Sequence, residues 1–250
     1  MSELEAIYIM WLRQIKRFIR ARSRVVANIV QPLLFLSIFG LGFGSIRFPG
    51  IKLSYLDFLT PGIVTMGIVF SSIFGGISVL WDRQFGFLKE VLVAPVKRVS
   101  IVVGYALGTI TTALIQGFII LSIAILLGAH INLTGLFPSI LVMFLVSLTY
   151  VSLGLAIASK IEDFHGFQLI MNLIIMPMVL LSTAFFPINN IPQNLRIVIY
   201  LDPLTYAVDS LRWFLTGISF ISLHYDFAVT FLTSLSMLAL STYLFSKMQV

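Results

Sequence analysis

The chain alternates long charge-free intervals with short basic or turn-rich stretches. Val25 to Ile46 runs 22 residues without an Asp, Glu, Lys or Arg. As a helix that interval is about 33 Å long, enough for a hydrocarbon core of about 30 Å. Phe58–Trp81 adds 24 such residues and Val99–Ser159 adds 61. The last is too long for one crossing and fits two, with the return at the turn-forming cluster of Gly128, His130, Asn132, Gly135 and Pro138. Phe164–Leu195 supplies a fifth crossing, ending near Pro187 and Asn189-Asn190-Ile191-Pro192, and Phe227–Ser246 a sixth. The pattern predicts a single transmembrane domain over 1–250, with spans at about 25–46, 58–81, 99–127, 137–159, 166–187 and 227–246. The expected fold class is all-α: a polytopic membrane protein with six transmembrane helices. An amphipathic interfacial helix over 1–24 precedes them, and short outer re-entrant helices over 188–226 precede the last span.

Composition agrees and narrows the function classes. Apolar residues make up 59% and charged ones 10%, against roughly a quarter charged in soluble domains. That excludes a soluble enzyme and a disordered tail. With Cys at 0 there is no disulfide scaffold, thiol chemistry or Cys-ligated metal site. The net charge of +6 is mainly an orientation signal. Twelve of the 16 basic residues fall on one side: Arg13, Lys16, Arg17, Arg20, Arg22, Arg24, Arg83, Lys89, Lys97, Arg98, Lys160 and Lys247. Arg47, Lys52, Arg196 and Arg212 fall on the other. Both termini are thus expected in the cytoplasm, in a multi-pass protein of the plasma (inner) membrane. No soluble domain presents a basic face to nucleic acid.

The first 24 residues are amphipathic and are not expected to be a cleavable signal. Leu4, Ile7, Trp11, Ile15, Phe18 and Ile19 recur at helical spacing, with Arg13, Lys16, Arg17, Arg20 and Arg24 opposite. Such a helix lies in the headgroup layer with Trp11 as anchor, either for topology alone or also touching a cytoplasmic partner.

The expected span cores contain no charge, which argues against proton- or sodium-coupled carriers. Asp57, Asp163, Asp226 and Lys160 sit at span ends. The absence of a Gly-Lys dipeptide excludes a Walker A loop, and neither His-Glu-x-x-His nor Gly-x-Ser-x-Gly occurs. Uphill transport would therefore draw its energy from another subunit.

Two connections carry the remaining signal. Residues 82–98 are basic and amphipathic, and Pro95 stops a helix near Ala94. Phe87, Val91 and Ala94 share one face, bracketed by Lys89, Glu90 and Lys97. This is either an interfacial loop helix or one that plugs its apolar face into a partner's groove. In the outer region, Asp202-Pro203 reads as an N-cap with proline in the first helical position. Asp209 and Arg212, three apart, are placed to pair on a capped surface helix or an outer gate.

The stretch Phe186–Gly217, above all Pro203-Leu204-Thr205-Tyr206-Ala207-Val208-Asp209-Ser210-Leu211-Arg212, resembles the C-terminal signature of type-2 ABC exporter permeases, especially the daunorubicin-resistance-like branch. Asp82-Arg83-Gln84-Phe85-Gly86-Phe87-Leu88-Lys89-Glu90-Val91-Leu92-Val93-Ala94-Pro95-Val96 resembles the family's coupling helix. Gln84 stands where an acidic residue is common, and Tyr105 where a lysine is common.

The resemblance implies a non-catalytic permease subunit that pairs with a second copy, a homodimer, above two ABC ATP-binding subunits. ATP and Mg bind those subunits; this chain carries no cofactor and no metal. Arg83, Phe87, Lys89, Glu90, Pro95 and Arg98 would couple to the ATPase, and Trp11, Arg13 and Arg17 would form an N-terminal interface. Asp202, Pro203, Tyr206, Asp209 and Arg212 would form the outer gate. A path lined by spans two and five would use Met66, Phe70, Phe74, Asn172, Met176 and Thr183. Its apolar lining suits an amphiphilic, drug-like, lipid or glycoconjugate substrate. The other class left open is a non-energised channel-like or scaffold protein. Gly40 with Gly44, and Gly104 with Gly108, have Gly-x-x-x-Gly spacing, which suits close helix packing.

Overall fold

The computed structural model describes residues 2–42 and 53–248. Gly44, Arg47, Lys52 and the end of the first predicted span lie outside the described residues. Within them the chain is helical, without strands: α1 (Glu3–Arg20), α2 (Arg22–Phe35), α3 (Tyr55–Gln84), α4 (Phe87–Val93), α5 (Arg98–Leu126), α6 (Leu136–Ala158), α7 (Phe164–Leu181), α8 (Gln193–Leu201), α9 (Pro203–Thr216) and α10 (Leu223–Ser246). Five of these, α3, α5, α6, α7 and α10, are long and apolar enough to cross a membrane. A sixth crossing results if α1 and residues 25–40, bent by 70° at their junction, count as one. Pro32 lies inside α2, which runs on into a π-helical turn over Leu36–Leu41.

The central element is α3, whose neighbours are α2, α5, α6 and α9. Ser54 caps it by accepting from the Asp57 N–H at 3.1 Å. It runs three residues beyond the predicted 58–81 at each end, so Asp82 and Arg83 stand in its last turn. The α3–α6 contact is closest at Gly76 and Gly154, where backbone lies against backbone. Thr60, Thr65, Ser72, Thr109 and Thr149 donate to the carbonyl four residues earlier. This satisfies their hydroxyls where no water is at hand.

Helix α1 is amphipathic and docked on the bundle. It packs on α5 through Ala6, Met10 and Gln14, while Leu4, Tyr8, Ile9 and Ile19 remain exposed. Gly104 and Gly108 make the seat. A Cβ on either would stand 2.5 Å from a Cβ of α1, that of Met10 or Gln14 respectively. Trp11 stacks on Tyr8 at 5.7 Å and donates to Thr111 Oγ1 at 3.1 Å, so it binds α5 as well as marking an interface.

Helix α7 ends at Leu181, six residues short of the expected 187, because Ser182 leaves the helical region with ψ 162°. The short α9 is inserted among α3, α6 and α10. Its last turn meets the α5–α6 return, where the Asn132 N–H donates to Leu215 O at 2.8 Å. At about 1.5 Å per residue its 14 residues reach about 21 Å from there.

Candidate functional site: an inner hub and an outer staple

At the cytoplasmic end predicted from the basic residues, three side chains converge on Asp82, which is 2% exposed. Arg13 grips it with both Nη atoms, at 2.6 and 2.5 Å. Arg17 Nη2 donates to it at 2.6 Å, and its Nη1 donates to Ser78 O at 3.3 Å. The Tyr105 hydroxyl completes the set. Arg13 and Arg17 are one turn apart on α1, so the helix presents both to one carboxylate. Tyr105 places a hydroxyl donor where a third cation would crowd the two arginines.

Arg13 also lies over the Phe87 ring, 3.7 Å from its centroid. The hub thereby holds α4, which Gly86 sets at a sharp angle to α3 by adopting φ 77°. On α4 and its C-cap, Leu88 is buried and Phe87, Val91 and Ala94 are half-buried, with the Phe87 ring against the Arg13 guanidinium. What faces out is Lys89, Glu90 and the apolar pair Phe85 and Val93, 84% and 85% exposed. Pro95 is exposed between α4 and α5.

Three ties flank the hub. Arg83 Nη2 pairs with Glu162 Oε1 at 2.5 Å, and the Trp81 and Phe164 rings stack at 6.3 Å, joining α3 to the start of α7. Arg98 turns to the chain's other end and donates to Ser246 O at 2.6 Å and Met248 O at 3.1 Å. Glu3 accepts from Ser100 Oγ at 2.6 Å and from the Lys97 N–H at 3.2 Å. The Ser100 hydroxyl is the main reason its carboxyl is held below the usual range.

The opposite end is held by Asp209 and Arg212, which the sequence puts in an outer loop. The structure buries both completely, although they lie on the short α9 and not in a span core. Their ion pair measures 3.1 Å. Asp209 Oδ2 accepts from the Phe220 and Ile221 N–H groups at 2.8 and 2.9 Å. Arg212 Nη2 donates to Thr183 O at 2.5 Å, and its guanidinium lies 4.3 Å from the Phe58 centroid. Four segments are thus joined: α3, the end of α7, α9 and the loop before α10. Asp226, expected at a span end, is also completely buried, and neither of its oxygens has a partner. Asp202 caps α9 by accepting from the Leu204 N–H at 2.9 Å, with Pro203 in the first helical position. Tyr206 Oη donates to Tyr200 O at 2.7 Å, closing the α8–α9 corner. Asp57 Oδ1 accepts from the His130 N–H at 2.6 Å, tying the top of α3 to the α5–α6 return.

The six predicted path residues are not brought together. Met66 is buried inside the bundle, and Thr183 is taken up by Arg212. Phe70 and Phe74 are half-buried, while Asn172 is exposed and Met176 half-buried on α7. The helix faces differ from expectation because α3 is covered on nearly all sides, so a Met and Phe stripe there packs neighbours. Sequence reasoning missed Asp82 as a ligand of α1. Its signal was the Arg13/Arg17 pair, which has no carboxylate three or four residues away on α1.

Comparison with known proteins matches this architecture. The family model described as ABC-2 type transporter covers residues 5–216. The chain is 30% identical over 226 residues to transport permease ycf38 of Pyropia yezoensis, covering 87% of this chain and 76% of that protein. It is 23% identical over 229 residues to inner membrane transport permease YadH of Escherichia coli (strain K12), covering 90% and 88%. It is 28% identical over 201 residues to nodulation protein J of Rhizobium meliloti, covering 79% and 76%. With a bundle of apolar crossings, two charged clusters and a family match over most of its length, this chain belongs to the ABC-2 type transporter family of membrane transport permeases.

Proposed function

We propose that the chain is the membrane subunit of an ATP-driven exporter, working as a homodimer on two separate ATP-binding subunits that carry the ATP and Mg, with both termini in the cytoplasm. The observation that supports this best is the Asp82 hub, which binds α1, α3, α4 and α5 to one another beneath an outward surface of Phe85, Lys89, Glu90 and Val93. A push on that surface from an ATPase reaches α3 without slack. Arg83–Glu162 and Trp81–Phe164 pass it on to α7. The exposed apolar faces of α2 and α7 are where a second copy and the bilayer would meet this one, and the substrate path would form between the copies. Asn172, exposed on α7, and Met176, half-buried there, would line it. An amphiphilic, drug-like, lipid or glycoconjugate substrate suits such a lining. Short α8 and α9 act as the outer re-entrant gate, held shut by the Asp209–Arg212 staple.

Co-expression with candidate ABC ATP-binding subunits tests the proposal. A stable complex whose ATPase activity falls on Glu90→Lys or Phe85→Ala substitution is expected. Failure of every such subunit to bind, or ATP-independent flux through the chain alone, would favour a passive channel or scaffold.

A further inference from the structure

A cavity of about 40 Å3 lies between α1, α2, α3 and α5. Its wall includes Gln14, Arg17, Ser78, Thr109, Thr112 and Gln116. Gln116 is completely buried, yet neither its Nε2 nor its Oε1 has a hydrogen-bond partner. Gln14 Nε2, likewise buried, has none. A buried amide left unpaired is costly, and such groups ordinarily have a partner. The wall hydroxyls donate elsewhere: Ser78 to Phe74 O, Thr109 to Tyr105 O and Thr112 to Thr109 O. They therefore offer the cavity their lone pairs. Donating amides beside hydroxyl acceptors complement a guest that carries hydroxyl groups. Among the described residues no carboxylate lines the cavity, and the one charged wall residue is Arg17. An ammonium headgroup would meet like charge there.

The mouth is formed by Phe18, Ala21, Val25 and Asn28, where α1 bends into α2. Beside it the cations Lys16 and Arg20 and the apolar Ile19 and Val26 are exposed. That sequence of surfaces, apolar, then basic, then hydroxyl-binding, follows a lipid from acyl chain to phosphate to headgroup. The volume fits a few water molecules or one small diol.

We propose that this cavity binds the vicinal-diol headgroup of a membrane lipid, arriving sideways from the bilayer at the α1–α2 bend, with Gln116 and Gln14 as its hydrogen-bonding residues. The diol belongs either to the glycerol of an anionic phospholipid or to the sugar of a neutral glycolipid. In the first case Lys16 and Arg20 also hold the phosphate.

The test uses the full chain in nanodiscs of phosphatidylcholine alone, with phosphatidylglycerol, or with monoglycosyl diacylglycerol. Native mass spectrometry counts retained lipid, and thermal unfolding is read in parallel. Wild-type protein retains one or both diol lipids over phosphatidylcholine. Gln116→Leu lowers that retention on the order of tenfold. It leaves the unfolding midpoint in phosphatidylcholine unchanged or higher, since it removes an unpaired buried amide. Should that variant not fold, Gln14→Leu supplies the same reading from the opposite wall. Lys16→Gln with Arg20→Gln lowers phosphatidylglycerol retention alone if the phospholipid is the guest, and changes nothing if the glycolipid is. Equal retention of all three lipids by the wild type, or full retention by both Leu variants, overturns the proposal and leaves a cavity that holds only water.

Discussion

Arg212 stands 3.1 Å from Asp209, and neither side chain has any contact with solvent. Desolvation makes such a pair costly to break, because the survivor is left charged and buried. Arg212→Ala should destabilise the chain by about 3–5 kcal/mol, seen as a lower unfolding midpoint in nanodiscs. Arg212→Lys should rescue little, since one ammonium cannot serve Asp209 and Thr183 with the guanidinium's planar geometry. The double change Asp209→Asn with Arg212→Met should lose less than Arg212→Ala. A double variant as unstable as the single would show that the charge pair is not what the site depends on.

At the other end, Asp82→Asn keeps an oxygen for Tyr105 but removes the charge that Arg13 and Arg17 share. The chain should still insert, with transport per ATP hydrolysed falling on the order of tenfold, the scale of one lost charge-assisted hydrogen bond. Reconstituted vesicles with the ATP-binding subunit give both rates. Unchanged stoichiometry would remove Asp82 from the coupling route.

The α1 seat offers a steric test. Gly104→Leu puts bulk where Met10 already lies, and overpacking of this kind costs about 1–3 kcal/mol. We expect α1 to lift off α5, exposing the peptide bonds after Arg17 and Arg20 to trypsin added to sealed vesicles oriented with α1 outward. Gly104→Ala, which adds only the Cβ, should expose them less than Gly104→Leu.

A pH dependence follows from Asp163, which caps α7 by accepting from the Gly166 N–H at 2.7 Å. That bond is the main reason its carboxyl lies below the ordinary value of 3.8. A depressed folded-state value means the cap contributes fully above about pH 4 and is lost as pH falls through that lower value. Hydrogen exchange at Gly166 and Phe167 should therefore accelerate in acid, beyond the intrinsic rate. Asp163→Asn should abolish the extra acid dependence while keeping the cap.

The crossings were legible because apolar runs of membrane length leave few alternatives. The pairing of Asp209 with Arg212 was legible too, since three residues on a helix set two side chains side by side. Their burial was not. Residues 203–216 are too short and too polar to read as buried, and only contact with α3, α6 and α10 makes them so. The partner of the Phe87 ring was not legible for a related reason. An apolar stripe shows that a helix has a buried side but not what buries it, and Arg13 is 74 positions away in sequence. The positions Gln116 and Asp226 gave no periodic signal at all.

Helix α3 runs unbroken for 30 residues between the two charged clusters, with Asp82 at its foot and Asp57 at its head. At about 1.5 Å per residue it is a rod of about 45 Å. A rod wedged among neighbours cannot bend far along its middle, so rotation at one end becomes displacement at the other. A tilt of about 5° about Asp82 carries the head through about 4 Å, comparable to the width of a side chain. The leverage resides in the length of one helix: a small rotation at the Asp82 end suffices for a side-chain-sized shift beside Asp57.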